Sequence, residues 1–201
     1  MRRGQCVKTG GSRLTWQGNA GSFFGENRQM KKLLSVAEAV RRAAYVFEMN
    51  VSEKEVLALG ASAGLCGGDT CGLVLDDLQE KRAGFLYEWR GFAHAAVFNA
   101  LMEHSPGVTV LEYLRGTVDM MKSLGYSEAT ALGFVDTAFK AYSDAFINRD
   151  AAQCPAIFFD RFLGIPLEKV DKHSAAVLSG TMAMLTAACL DVFEKYDYLT
   201  E

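Results

Sequence analysis

The sequence predicts an all-α fold, a single-domain bundle of about seven or eight helices. Apolar residues recur at intervals of three and four along most of the chain after residue 30, which is the spacing of amphipathic helices. Valine, isoleucine and threonine do not alternate with polar residues over stretches long enough to indicate a sheet. Because the links between successive helices are short, we expect neighbouring helices to pack antiparallel in a bundle.

Residues 1–29 differ from the rest of the chain. They are rich in glycine, show no helical periodicity and carry five basic residues against one acid. This composition predicts a flexible tail. The segment "MKKLLSVAEAV" begins at Met30 and resembles a natural start, so Met30 is a candidate initiator and the tail is then foreign to the native protein. We expect residues 30–201 to form the helical domain.

Capping residues, glycines and prolines set the expected helix boundaries. Ser52 with Glu55, and Thr109 with Glu112, have the spacing of capping boxes. Gly84 is expected to separate two helices, and Ser127 to start another. The predicted helices run over about 33–49, 53–60, 71–82, 85–105, 109–125, 128–148, 155–162 and 167–196.

Two of these helices take their boundaries from other signals. Asp69 or Thr70 would cap the helix over 71–82, and Pro155 and Gly164 bracket the short helix near residue 160. Gly180 is a candidate kink in the last helix.

Composition and charge exclude several function classes. The net charge of −3 gives no basic surface for nucleic acid. The longest apolar stretch, Ala175 to Val192, is interrupted by serine, glycine and threonine, which favours a buried helix over a membrane span. The five cysteines are odd in number and widely separated, and no apolar leader precedes them. These observations predict a cytoplasmic protein that binds neither nucleic acid nor membrane.

The stretch "GLCGGDTCG", residues 64–72, is the main candidate for chemistry. Cys71 would lie in the first turn of a predicted helix, where the helix dipole favours a thiolate, and the glycines would let Cys66 approach it. We therefore expect Cys71 to be the attacking thiol and Cys66 the resolving one. A metal site that adds Cys154 is the second interpretation, and a metal ion is then the cofactor. A plain turn between two helices remains the third.

The segment over residues 35–78 resembles the opening of the redox-active C_GCAxxG_C_C family of bacterial proteins. Gly68, Asp69, Thr70, Cys71 and Gly72 match the glycine-rich turn of that family. In the same alignment Val36 stands where the family has its first cysteine, and Cys154 takes the place of its late cysteine. The resemblance implies a thiol redox or metal-linked role.

Two other motifs give weaker hypotheses. Ser62 lies in "GASAG", which has the pattern of the nucleophile elbow of α/β-hydrolases, but no strand is predicted before it, so a helix exit is expected instead. His94 lies among apolar residues and is a candidate haem or metal ligand, against the ordinary alternative of a core histidine.

Aromatic residues suggest a function of another class. They cluster in three stripes, around Trp89, Tyr142 and Phe159. Such stripes usually form the core of a bundle, but they could also line a site for an apolar small molecule or a partner helix. The alternative to redox chemistry is therefore a non-enzymatic helical module that binds a protein partner, a second copy of itself or an apolar small molecule.

Overall fold

Helices dominate the part of the chain that the computed structural model describes, residues 31–66 and 75–199. The predicted all-α bundle is confirmed. The tail predicted for residues 1–29 lies outside the described residues. The α-helices are α1 (Val36–Met49), α2 (Glu53–Ser62), α3 (Leu75–His104), α4 (Gly107–Arg115), α5 (Thr117–Ser123), α6 (Glu128–Phe134), α7 (Lys140–Ile147), α8 (Cys154–Leu163) and α9 (Lys172–Glu194).

The long helix α3 forms the centre of the bundle. It packs against α9 and α7 over most of its length, and also contacts α1, α2, α4 and α8. A continuous stretch of α3, Trp89 to Phe98, is buried all round, as expected of a helix surrounded by others. The core therefore lies around α3, and most sites on the molecule are built from helices that flank it.

Two short strands depart from the prediction that the chain has no strand. β1 (Lys32–Leu34) and β2 (Tyr196–Tyr198) pair in parallel, with Lys32 opposite Tyr196. Each strand has three residues, which is too short for an alternating pattern to show in the sequence. The pairing joins the segment before α1 to the segment after α9.

The prediction of a helix boundary at Gly84 is wrong, because α3 is continuous through this residue. A glycine inside a helix costs about 1 kcal/mol relative to alanine but does not by itself end the helix. Here a Cβ atom on Gly84 would lie 3.7 Å from the ring of Phe162. The start of the predicted helix over 71–82, with Asp69 and Thr70, lies outside the described residues.

Both predicted capping boxes are also wrong. Ser52 precedes α2, but its side chain makes no capping hydrogen bond. Thr109 lies inside α4, which begins after Pro106, and its hydroxyl is buried without a partner. A capping box that was not predicted forms at Ser35 and Glu38, at the start of α1. The four-residue pattern alone therefore does not place a helix start, because the hydroxyl must also reach the backbone N–H three residues later.

Other boundaries follow the prediction. The Ser127 hydroxyl accepts the backbone N–H of Thr130 and starts α6, and a π-helical turn (Val135–Phe139) links α6 to α7. Pro155 lies in the first turn of α8, and Gly164 ends that helix with φ of 67°. The helices α4 and α5 divide the stretch predicted as one helix over 109–125.

The last helix begins later than predicted. A 3₁₀ turn (Leu167–Lys169) comes first, and Asp171 then caps α9 by accepting the backbone N–H of Ser174. The helix continues through Gly180.

Candidate functional site

The glycine-rich stretch begins as a Schellman turn that ends α2. Gly64 has a positive φ of 71°, its N–H donates to Ala61, and the N–H of Leu65 donates to the carbonyl of Gly60 at 2.7 Å. This pair of bonds satisfies carbonyls at the helix end and needs a residue without a Cβ atom at Gly64. Residues 64–66 therefore form the turn that ends α2, and the rest of the stretch lies outside the described residues.

Cys66 follows directly after this turn and points into the core. Its side chain is 3% exposed, and it packs so closely on Gly60 and Phe85 that a Cβ atom on Gly60 would lie 2.9 Å from the sulfur. Burial raises the pKa of the Cys66 thiol to about 11, although Lys81 and Arg82 oppose the shift. Cys71, the predicted attacking thiol, lies outside the described residues. Pairing of these two cysteines therefore stays a prediction.

The metal hypothesis also stays a prediction, because it includes Cys71. Cys154 is 1% exposed at the start of α8, and burial raises the pKa of its thiol to about 12. Within residues 31–66 and 75–199, no group of three or more His, Cys, Asp or Glu side chains has the geometry to hold a metal ion.

Ser62 lies at the last turn of α2, as expected for a helix exit. Its hydroxyl donates to the carbonyl of Leu59 at 2.8 Å. His173 on α9 hydrogen-bonds to the carbonyl of Ser62 through Nε2 at 2.9 Å. Because Ser62 follows a helix rather than a strand, the nucleophile elbow does not form here.

His94 lies in the core with both ring nitrogens occupied. Nδ1 is 2.6 Å from the Tyr113 hydroxyl and Nε2 is 2.8 Å from the Thr117 hydroxyl. Burial lowers the pKa of His94 to about 3, so the ring is neutral. A metal or haem iron would need one of these nitrogens, so His94 is a structural core histidine rather than a ligand.

A second polar network is charged, and no sequence motif predicts it. The Glu88 carboxylate on α3 is nearly buried and accepts two hydrogen bonds from Arg161 on α8, at 2.8 and 3.0 Å. The Tyr142 hydroxyl on α7 donates to the same carboxylate at 3.1 Å. The network ties three helices together, and the pairing of residues 73 positions apart is invisible in a single sequence.

A groove beside α9 is a concave feature suited to a ligand. It has a volume of about 440 Å³, within the range of ligand pockets in proteins. Its walls come from α9 and α3, from the first turn of α8 and the turn before it, and from the 3₁₀ turn that begins at Leu167. The lining residues are Phe92, Ala151, Ala152, Pro155, Leu167, Ser179, Met182, Ala183, Thr186, Ala187 and Leu190.

The lining of this groove determines what it could bind. None of its described side chains carries a charge. Two hydroxyls are present: that of Thr186 donates to the carbonyl of Met182 at 3.0 Å, and that of Ser179 lies about two turns before it on α9. Since a buried charge without a partner is costly, the groove favours an uncharged, mainly apolar molecule with one polar group.

The aromatic stripes contribute little to this groove. Phe92 is the aromatic residue in its wall, and the rest of the lining is mainly small and aliphatic. Phe92 contacts Trp89, with ring centroids 5.5 Å apart, and stacks on Phe146. The stripes form the core, as the ordinary interpretation expected. The α9 wall of the groove runs from Ser179 to Leu190 and consists of small, hydroxyl and aliphatic residues, which do not signal a pocket in the sequence.

The helix α9 has the length and composition of a membrane span. An 18-residue window reaches a mean hydropathy of 1.7, and 28% of that window is buried inside the fold. A core helix of a soluble protein passes the same test, so this finding is weak support for a span. It does show that α9 is less covered than the buried helix predicted from the sequence.

No protein-family model, curated protein or solved structure matches the chain. The resemblance to the C_GCAxxG_C_C family therefore stays a prediction.

Proposed function

We propose that the protein is a non-enzymatic binding module for a small, uncharged, mainly apolar molecule. The observation that carries the proposal is the uncharged groove of about 440 Å³ between α9 and the turn that precedes α8. A ligand there would displace water from alanine, leucine, methionine and proline side chains, and burial of apolar surface contributes roughly 25 cal/mol per Å².

The position of the groove supports the proposal in a second way. One wall is a helix that packs along α3, and the floor includes Phe92, which is 1% exposed and belongs to the aromatic core. A pocket whose walls belong to rigid helices is largely preformed, so little conformational entropy is lost when a ligand enters. The Ser179 hydroxyl is then available to orient one polar atom of the ligand.

A titration with N-phenyl-1-naphthylamine, an uncharged apolar fluorophore, tests the proposal. We expect saturable binding of one fluorophore per chain. The anionic analogue 8-anilinonaphthalene-1-sulfonate should bind at least about 10-fold more weakly, because the groove offers no cation to its sulfonate. In a Trp16→Phe variant, Trp89 is the remaining tryptophan and should transfer energy to the bound fluorophore through its place beside Phe92.

Two variants locate the binding site. Ala152→Phe should fill the groove from the wall opposite α9 and weaken binding at least about 10-fold. Ala188→Phe places the same side chain on an exposed position of α9 that does not line the groove, and should bind like the wild type. Equal binding by both variants, or equal affinity for the two fluorophores, would contradict the proposal.

A further inference from the structure

The outward face of α9 carries a regular row of small residues. Ala176, Gly180, Ala183 and Ala187 are all exposed and follow one another at intervals of four, three and four. This spacing places them on one face of the helix, which we call the α9 seam. Among the described residues no element covers the seam, and it adjoins the groove through Ala183 and Ala187.

We propose that the α9 seam binds the α9 seam of a second copy of the chain, with the two helices antiparallel. Such an interface is isologous, so its residues must complement themselves about a twofold axis. An axis that passes between Thr181 and Met182 places Gly180 opposite the partner's Ala183. It also places Ala176 opposite the partner's Ala187. Each small residue of the seam therefore meets another small residue.

Small residues on both sides allow the two backbones to approach closely. Helix axes pack 8–10 Å apart depending on the side chains at the contact, and alanine and glycine give the short end of that range. The seam runs from Ala176 to Ala187, about half of the 23 residues of α9, and is therefore about 18 Å long. Side chains that follow one another at intervals of three and four residues interlock with those of a partner helix in coiled coils.

The charges at the ends of α9 favour the same register. The axis that pairs the small residues also places Lys172, at the start of the helix, opposite the partner's Asp191, near the end. Both side chains are exposed, and Asp191 also forms an ion pair with Lys195 of its own chain. An antiparallel pair also brings the positive end of each helix dipole beside the negative end of the other. Rim charges of this kind contribute modestly to affinity, but they select orientation and register.

The residues of the seam favour a protein partner over a lipid surface. Helices that insert into a membrane interface gain free energy from large apolar side chains such as leucine, phenylalanine and tryptophan. The seam instead consists of alanine and glycine, and Met184 is the large apolar side chain beside it, 74% exposed. Small residues bury little area against lipid but permit close contact with another helix.

Sedimentation velocity of the full chain over a wide range of concentration tests the proposal. We expect a reversible dimer. Gly180→Glu should raise its dissociation constant at least about 100-fold, because two carboxylates then meet at a closely packed contact. A Cβ atom on Gly180 meets nothing within 4 Å in the single chain, so the variant should fold. The matched control is Ala188→Glu, an exposed position of α9 outside the seam, which should dimerise like the wild type.

A charge exchange tests the register. Lys172→Glu should weaken the dimer several-fold, and the double variant Lys172→Glu with Asp191→Lys should restore it. A chain that is monomeric at every concentration, or a Gly180→Glu variant that dimerises like the wild type, would overturn the proposal. So would flotation of the wild type, but not of Gly180→Glu, with phosphatidylcholine vesicles, since the seam would then bind lipid.

The inference does not rest on the proposed function. Gly180 does not line the groove, so a monomeric Gly180→Glu variant should still bind N-phenyl-1-naphthylamine. Loss of dimerisation with retained fluorophore binding, or the reverse, separates the two proposals.

Discussion

The two faces of α9 are both apolar, yet they differ in the size of their side chains. The inner face packs on α3 and carries large residues, among them Leu178, Met182, Leu185 and Phe193. The outer face carries the alanines and the glycine of the α9 seam. Large side chains gain most from burial in the core of their own chain, because hydrophobic stabilisation scales with the area removed from water. Hydropathy alone does not distinguish the faces, but side-chain size does.

The largest expected effect is a loss of stability from the inner face. Phe193 is 0% exposed, and Phe193→Ala should lower the free energy of unfolding by about 3–5 kcal/mol, measured by urea denaturation. On the outer side, Met184→Ala should change it by less than about 0.5 kcal/mol. Equal losses in the two variants would show that both faces are covered in the single chain.

Thiol labelling compares adjacent positions on the two sides of α9. Cys189 is 1% exposed, and burial raises the pKa of its thiol to about 12. A cysteine introduced at the exposed position Ala188 should react with iodoacetamide at neutral pH at least about 100-fold faster than Cys189. Mass spectrometry assigns the label to each residue. Comparable rates would mean that α9 separates from α3 in the native state.

The same labelling experiment bears on the predicted redox pair. Cys66 is buried, and the pKa of its thiol is raised, so we expect it to react as slowly as Cys189. Labelling of Cys66 at the rate of a model thiol would contradict the burial and favour thiol chemistry.

The dependence of stability on pH tests the buried hydrogen bonds of His94 on α3, which lie beside the inner face of α9. Cys189 lies near Tyr113, which hydrogen-bonds to His94. The pKa of His94 falls to about 3 in the folded protein from an ordinary value of 6.5, so protonation favours the unfolded chain. The stabilisation is present above pH 6.5 and is lost as the pH falls towards 3.

Between pH 7 and pH 5 the free energy of unfolding should fall by about 2 kcal/mol, because His94 is protonated at pH 5 in the unfolded chain but not in the folded protein. Urea denaturation at both pH values measures it. The His94→Gln variant should show a smaller difference between the two pH values than the wild type. An unchanged difference would assign the pH dependence to other groups.

The smallest expected effects come from two helical glycines. At Gly180 a Cβ atom meets nothing, so Gly180→Ala should raise the free energy of unfolding by about 0.5–1 kcal/mol in the monomer. At Gly91, on the buried face of α3, a Cβ atom would lie 2.7 Å from that of Ala138, so Gly91→Ala should be destabilising. The two variants should therefore differ in sign in urea denaturation at low protein concentration.

Local signals predicted the helices better than they predicted the helix ends. Pro155 and Gly164 bracket α8 because each acts through its own backbone geometry, which no tertiary contact has to supply. The helix boundaries predicted at Gly84 and Thr109 were wrong, because packing of α3 and α4 against their neighbours outweighs a local preference of about 1 kcal/mol. Long-range packing thus decided the boundaries that local rules missed.

The candidate site was less predictable than the fold. The cysteines were predicted as the site because thiols are chemically reactive. The groove, in contrast, is lined by residues that carry no reactive or charged group. Ala151 and Ala152 form one wall and Ser179 to Ala187 the other. Neither wall is concave by itself, so no pattern within one segment indicates a pocket.

Residue type and a period of 3.6 are enough to predict that the chain is helical and that the middle of α9 is mainly apolar. The tertiary structure decided which face of α9 is covered and that a groove opens beside it. Those outcomes depend on contacts between segments far apart in the chain, and their free energies are not encoded in any local stretch.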